Sequence, residues 1–74
     1  MEFEKKVAKT VARLKLQELV IEQRHIYQQL AWIRACERVG RNSDECQILR
    51  VICEDGLKLN EKLIDSYYKL AYKQ

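Results

Sequence analysis

A chain of 74 residues holds one domain at most, and domains of this size usually need a metal, a disulfide or a partner chain to complete their core. Hydrophobic residues make up 47% of the sequence and charged residues 34%, which excludes both a disordered chain and a membrane-spanning one. The formal net charge of +3 is too small to assign a nucleic-acid-binding protein from charge alone.

The N-terminal segment and the cysteines together predict a location. The first residues lack the apolar stretch of a secretory signal, and the three cysteines are an odd number. We therefore expect a cytoplasmic protein without a membrane span, in which the thiols of Cys36, Cys46 and Cys53 stay reduced and pack as small hydrophobic groups.

The sequence predicts an all-α fold, an antiparallel hairpin of two long helices forming a single domain over residues 1–74. Proline is absent and there are only two glycines, so a chain rich in Leu, Glu, Lys, Gln and Arg should be largely helical. The first helix is expected at 2–39, because Gly40 can supply the left-handed residue that ends many helices. The turn is expected at 40–43 and the second helix at 44–73.

Polar residues mark the start of the second helix. Either Asn42 or Ser43 can serve as its N-cap, accepting hydrogen bonds from backbone N–H groups that have no helical partner. Glu45 stands at the capping-box spacing from Asn42, and its charge suits the positive end of the helix dipole.

Gly56 leaves two interpretations of the second helix open. The pair Asp55 and Gly56 could form a turn that divides this segment and gives three helices. Alternatively, Gly56 could lie within a continuous helix and let a neighbouring helix approach closely. We favour the continuous helix.

Each predicted helix carries two apolar stripes when its residues are placed at intervals of 100°. The stripes of the first helix are Ala12, Leu16, Leu19, Ile26, Leu30 and Ile33, and, on the opposite side, Phe3, Val7, Val11, Leu14, Ile21, Trp32, Cys36 and Val39. The stripes of the second helix are Leu49, Ile52, Leu59, Leu63 and Leu70, and Cys53, Leu57, Ile64, Tyr68 and Ala71.

The second stripe of each helix predicts self-association. A hairpin buries one stripe per helix, and each large side chain left in water forgoes about 1.5–3 kcal/mol. We expect a homodimeric four-helix bundle, although a higher oligomer or a different partner protein satisfies the same argument. Trp32 is the expected anchor between chains. The residues expected at these interfaces are Leu16, Leu19, Ile26, Leu30, Ile33, Trp32, Ile52, Leu59, Leu63, Leu70 and Tyr68.

A Glu-x-x-His motif, from Glu22 to His25, suggests a metal site as one alternative. Its two side chains lie one helical turn apart, and di-metal four-helix bundles use two such motifs together with further glutamates. Glu61 lies opposite Glu22 in a hairpin, so a homodimer would supply two copies of each ligand. The motif also arises by chance in charged helices, and we expect no cofactor.

A row of basic residues on the first helix suggests a second alternative. Lys6, Lys9, Arg13, Arg24 and Arg38 lie along one side of the helix and could follow the phosphates of a nucleic acid. No aromatic residues interleave the row for stacking on bases, and a solvated outer face is the simpler explanation.

The sequence predicts no enzymatic activity. The single histidine has no Ser, Cys or Asp at a recognisable catalytic spacing, and no glycine-rich loop is present to bind phosphate. We expect a non-enzymatic adaptor, regulator or assembly factor whose helical faces bind a second copy and another protein. A small basic dimer that binds nucleic acid is the main alternative, and a di-metal bundle is less favoured.

Overall fold

A computed structural model of the protein describes residues 2–41 and 43–72, and these form two helices packed against each other as a hairpin. Helix α1 spans Glu2–Arg38 and helix α2 spans Asp44–Tyr72. The hairpin is a rod of 58 × 15 × 15 Å. The predicted all-α hairpin is confirmed, with α1 ending one residue earlier than expected, while position 73 lies outside the described residues.

Gly40 terminates helix α1, two residues past its end, by the mechanism that the sequence predicted. Gly40 has a φ of +79°, in the left-handed region where a side chain would be strained. Its N–H donates to the carbonyl of Glu37 at 3.1 Å, and the N–H of Arg41 donates to the carbonyl of Cys36 at 2.9 Å. These two bonds form a Schellman motif, which satisfies carbonyls at the end of the helix and turns the chain back.

Helix α2 begins at a serine cap. The Ser43 hydroxyl accepts a hydrogen bond from the N–H of Cys46 at 3.3 Å, and the Ser43 carbonyl accepts one from the N–H of Gln47 at 3.2 Å. Ser43 is therefore the N-cap, whereas Asn42 lies outside the described residues. Glu45 then occupies the second helical position, and the capping box predicted between it and Asn42 lies outside the described residues.

The two helices meet along an intrachain seam whose residues are three or four positions apart, as in a coiled coil. Helix α1 contributes the buried Ala12, Leu19, Ile26, Leu30 and Ile33, and helix α2 contributes the buried Cys53, Asn60 and Ala71. Leu57, Ile64 and Tyr67 are half-buried on the α2 side. The prediction that Tyr68 belongs to this stripe is wrong, because Tyr67 occupies that position and Tyr68 is half exposed.

Polar contacts also join the two helices within the described residues. The Asn60 side chain is 1% exposed, and its Nδ2 donates to the carbonyl of Leu19 at 2.9 Å. Nearer the turn, the Cys53 thiol lies 3.6 Å from Gln29 Oε1. At the turn itself, Arg50 Nη1 pairs with Glu37 Oε1 at 2.6 Å.

Gly56 lies within a continuous helix, since α2 runs unbroken from Asp44 to Tyr72. The continuous interpretation is thus confirmed and the three-helix one is wrong. A Cβ atom added at Gly56 would lie 3.9 Å from Ile26 Cδ1, an ordinary van der Waals distance. The packing of α1 therefore does not require a glycine here.

Candidate interaction surface

The intrachain seam uses nearly half of the residues predicted at interfaces. Leu19, Ile26, Leu30 and Ile33 are buried between the two helices of one chain, and Leu16 is half-buried beside them. These five side chains pack in the intrachain seam, and two of them, Leu16 and Ile33, also border surface grooves. The other six, Trp32, Ile52, Leu59, Leu63, Tyr68 and Leu70, are exposed.

Helix α2 carries a second set of residues at coiled-coil spacing, which we call the α2 row. The intervals along it alternate between three and four positions, the pattern by which one helix packs along another. Its five large side chains are 36–60% exposed. Helix α2 therefore has two neighbouring seams, one covered by α1 and one open. The α2 row consists of Leu49, Ile52, Gly56, Leu59, Leu63, Ser66 and Leu70.

Trp32 lies beside the turn end of the α2 row. Its side chain is 76% exposed, the most open position that the structure gives to any large hydrophobic residue, shared with Phe3. A shallow groove here joins both helices, with walls formed by Gln29, Trp32, Ile33, Leu49, Ile52 and Cys53. An indole at the rim of an apolar groove is well placed to anchor a partner, since tryptophan often dominates the energy of an interface.

The second predicted stripe of α1 is also open. Six of its large side chains are exposed on the side of α1 away from α2, namely Phe3, Val7, Val11, Leu14, Ile21 and Val39. The hairpin therefore offers two apolar surfaces, one on each helix. The expectation that one stripe of each helix stays uncovered within a single chain is confirmed.

An aromatic pair lies at the open end of the hairpin, opposite the turn. The rings of Tyr68 and Tyr72 are 5.1 Å apart between centroids, and the Arg13 guanidinium carbon lies 5.3 Å from the centroid of Tyr72. Arg13 and Tyr72 also border a groove with Leu16 and Val20. The cation over the ring holds the end of α2 against α1.

The basic row of α1 lies on the surface, as the sequence predicted. Lys6, Arg13, Arg24 and Arg38 are exposed and Lys9 is half-buried. Within 2–41 and 43–72, the ion pairs involve Lys15, Arg50 and Lys69, and none involves this row. Three of its five residues are thus exposed without an ion pair to a described residue, Lys9 is half-buried, and Arg13 lies against Tyr72.

The three residues of the metal-site alternative do not form a site within one chain. Glu22, His25 and Glu61 are all exposed. Among the described residues, no three His, Cys, Asp or Glu side chains come close enough to hold a metal ion. The cysteines are free thiols, with Cys53 buried and both Cys36 and Cys46 half-buried.

Asn60 is a buried seam residue that the apolar pattern of the sequence did not indicate. It lies at the centre of the seam formed by Cys53, Leu57, Ile64 and Ala71, and only its coiled-coil spacing from them could have identified it. A buried asparagine in an otherwise apolar seam commonly specifies one register of pairing.

Comparisons with known proteins identify no relative: no family model, no curated protein and no solved structure matches this chain. Among the described residues, no helix is long and apolar enough to cross a membrane. The surface chemistry of the hairpin is therefore the basis for a function.

Proposed function

We propose that this protein is a non-enzymatic interaction module, an adaptor, regulator or assembly factor that self-associates and binds another protein through exposed helical faces. The observation that carries the proposal is the amount of apolar surface left open. Among the described residues, 18 large hydrophobic side chains are at least 36% exposed. Most of them belong to the two open surfaces, the α2 row and the outer stripe of α1.

The total surface area supports the same proposal. The chain exposes 6298 Å², whereas a compact monomer of its mass exposes about 4,800 Å². The excess of about 1,500 Å² exceeds the roughly 800 Å² that each partner contributes to a standard protein interface. A second copy covering one face would remove about half of this excess, and a further partner on the other face would remove most of the rest.

Two separate faces suit an adaptor. If the α2 row pairs with a second copy, the outer stripe of α1 stays open on the far side of α1. That stripe, with Phe3, Leu14 and Ile21 exposed, is the kind of amphipathic face that lies in a groove of another protein. The odd number of free cysteines supports a reducing compartment, and we propose the cytoplasm.

Solution mass tests self-association directly. Light scattering after size exclusion of the full chain, over a wide range of concentrations, should give a dimer that dissociates on dilution. The single tryptophan provides a second measurement, because Trp32 borders the α2 row and its emission should shift to the red at the same midpoint. A monomer at every concentration would refute the proposal.

Nucleic-acid binding is a second candidate, favoured by Lys6, Lys9, Arg24 and Arg38 of the basic row, none of which makes an ion pair or an aromatic contact with a described residue. A short RNA or DNA duplex should then bind with an affinity that falls steeply between 50 and 200 mM salt. Arg24→Gln should weaken binding, whereas Lys58→Gln on α2, which removes the same charge outside the row, should change it little. Equal effects from the two substitutions would remove this candidate.

A further inference from the structure

Three charged residues and one isoleucine lie at heptad spacing along one edge of the α2 row. Ile48, Asp55, Lys62 and Lys69 lie seven positions apart and flank the row on its free side. The other edge consists of Cys53, Asn60 and Tyr67, which pack in the intrachain seam against α1. Only the free edge can therefore contribute ion pairs to a helix that docks on the row.

The apolar residues of the α2 row are complementary to the same row running in the opposite direction. When Leu59 of one copy faces Gly56 of the second copy, Ile52 faces Leu63 and Leu49 faces Ser66. Two of these three layers combine a large side chain with a small one, which allows close packing of the two helices. The layers then repeat by two-fold symmetry, as expected of an isologous dimer.

In this same arrangement two of the three charged residues on the free edge meet a charge of opposite sign, whereas Lys69, which pairs with Asp65 of its own helix, lies beside Ile48 of the second copy. Asp55 of one copy lies beside Lys62 of the second copy, and symmetry creates the pair twice. In a parallel arrangement, Asp55 would instead face the edge of Cys53, Asn60 and Tyr67, which α1 already covers. Charge complementarity therefore favours the antiparallel orientation.

We propose that the α2 row is the docking site for a second copy of this chain, paired antiparallel through α2 with two Asp55–Lys62 ion pairs across the interface. This inference rests on the self-association proposed above and specifies its face and direction. The paired layers run from Leu49 to Ser66, about 26 Å at 1.5 Å per residue, and Trp32 borders the Leu49 end.

Charge reversal tests the pairing. Asp55→Lys and Lys62→Asp each place like charges together at two points of the dimer, and each should weaken dimerisation about tenfold, measured by sedimentation equilibrium at low salt. The double variant Asp55→Lys/Lys62→Asp exchanges the charges and should return the dissociation constant to within about twofold of the native value.

Matched controls lie on the side of α2 away from the row. Glu61→Lys changes the net charge as Asp55→Lys does, and Lys58→Asp changes it as Lys62→Asp does. Both residues are exposed and neither has an ion pair with a described residue, so both controls should leave dimerisation unchanged. Circular dichroism of every variant checks that the hairpin itself is intact.

The possible outcomes distinguish the antiparallel pairing from the self-association proposal on which it rests. A dimer weakened by each single reversal and restored by the double one supports the antiparallel pairing. A dimer that responds to Asp55→Lys no more than to Glu61→Lys, or one that the double variant fails to restore, overturns the pairing and leaves self-association standing. A native chain that stays monomeric overturns both.

Discussion

Asn60 should lower the stability of the hairpin, and replacing it with leucine should raise that stability. The side chain is 1% exposed within an apolar seam, and its buried Oδ1 has no hydrogen-bond partner among residues 2–41 and 43–72. Leucine has the same branched arrangement of heavy atoms as asparagine, so Asn60→Leu demands little repacking. The carbonyl of Leu19, which accepts from Asn60 Nδ2, lies inside α1 and keeps its helical bond from Gln23.

The magnitude follows from three contributions. Removing a buried acceptor without a partner relieves about 1–3 kcal/mol, and losing the hydrogen bond to Leu19 costs about 1 kcal/mol. Burying a leucine side chain adds about 1.5–3 kcal/mol, part of which is lost if the seam cannot expand to fit it. We therefore expect Asn60→Leu to stabilise the chain by about 2 kcal/mol, or about 8–16 °C in Tm for a chain of this size.

Thermal and urea unfolding followed by circular dichroism would measure this change. Protein concentration must be identical for all variants, because self-association raises the apparent stability. Asn60→Asp is the matched control, since it keeps the shape but buries a carboxylate beside the carbonyl of Leu19, and it should destabilise by about 3 kcal/mol or more. Two results together would refute the burial argument. They are an Asn60→Leu variant that is no more stable than the native chain and an Asn60→Asp variant whose free energy of unfolding falls only slightly.

The Asn60→Leu variant, although more stable, should no longer pair its two helices in a single register. Without the bond from Asn60 to Leu19, the remaining apolar seam can pair in neighbouring registers at similar free energy. We expect additional or broadened backbone amide signals in two-dimensional NMR spectra of this variant. A single sharp set of signals would show that Glu37 and Arg50, with the short turn, are sufficient to fix the register.

Three smaller changes test the turn and α2. Gly40→Ala should lower the free energy of unfolding by about 1–2 kcal/mol, because φ is +79° at this position. Urea unfolding measures this change, and an unchanged free energy would mean that the turn readily adopts another conformation. Ser43→Ala should lower the free energy of unfolding by about 1 kcal/mol, because the Cys46 N–H loses its hydrogen bond to the cap. An unchanged midpoint of urea unfolding would show that another group caps α2. Gly56→Ala should stabilise the hairpin by about 0.5–1 kcal/mol, because the new Cβ would lie 3.9 Å from Ile26 Cδ1; a lower melting temperature at high dilution would contradict this.

The sequence was sufficient to predict the helices and the turn because their signals are local. Gly40 ends α1 through its own backbone conformation, and Ser43 caps α2 through its own hydroxyl. The long stretches without glycine or proline between these points leave helix as the preferred structure. The choice between Asn42 and Ser43 as the cap depends on the path of the turn, which residue type alone does not specify.

The sequence could not decide which stripe of α2 faces α1. Both stripes are apolar, and the inward one contains Asn60, which lowers its apparent hydrophobicity. Projection at 100° per residue also drifts from a seam that repeats every 3.5 residues, so the projection favoured Tyr68 over Tyr67. The sequence also could not decide whether a metal site forms. Glu-x-x-His is a local spacing, whereas a metal site needs ligands that converge in space.

Gly56 connects the fold to the proposed interface. A glycine in the interior of a helix costs about 1 kcal/mol relative to alanine, yet neither the backbone of α2 nor the contact with Ile26 requires one. The remaining neighbour of this position is whatever covers the α2 row, and in the antiparallel pairing that neighbour is Leu59 of the second copy. Gly56→Ala should therefore stabilise the isolated hairpin while weakening the dimer, an opposition that no purely intrachain role of this residue would produce.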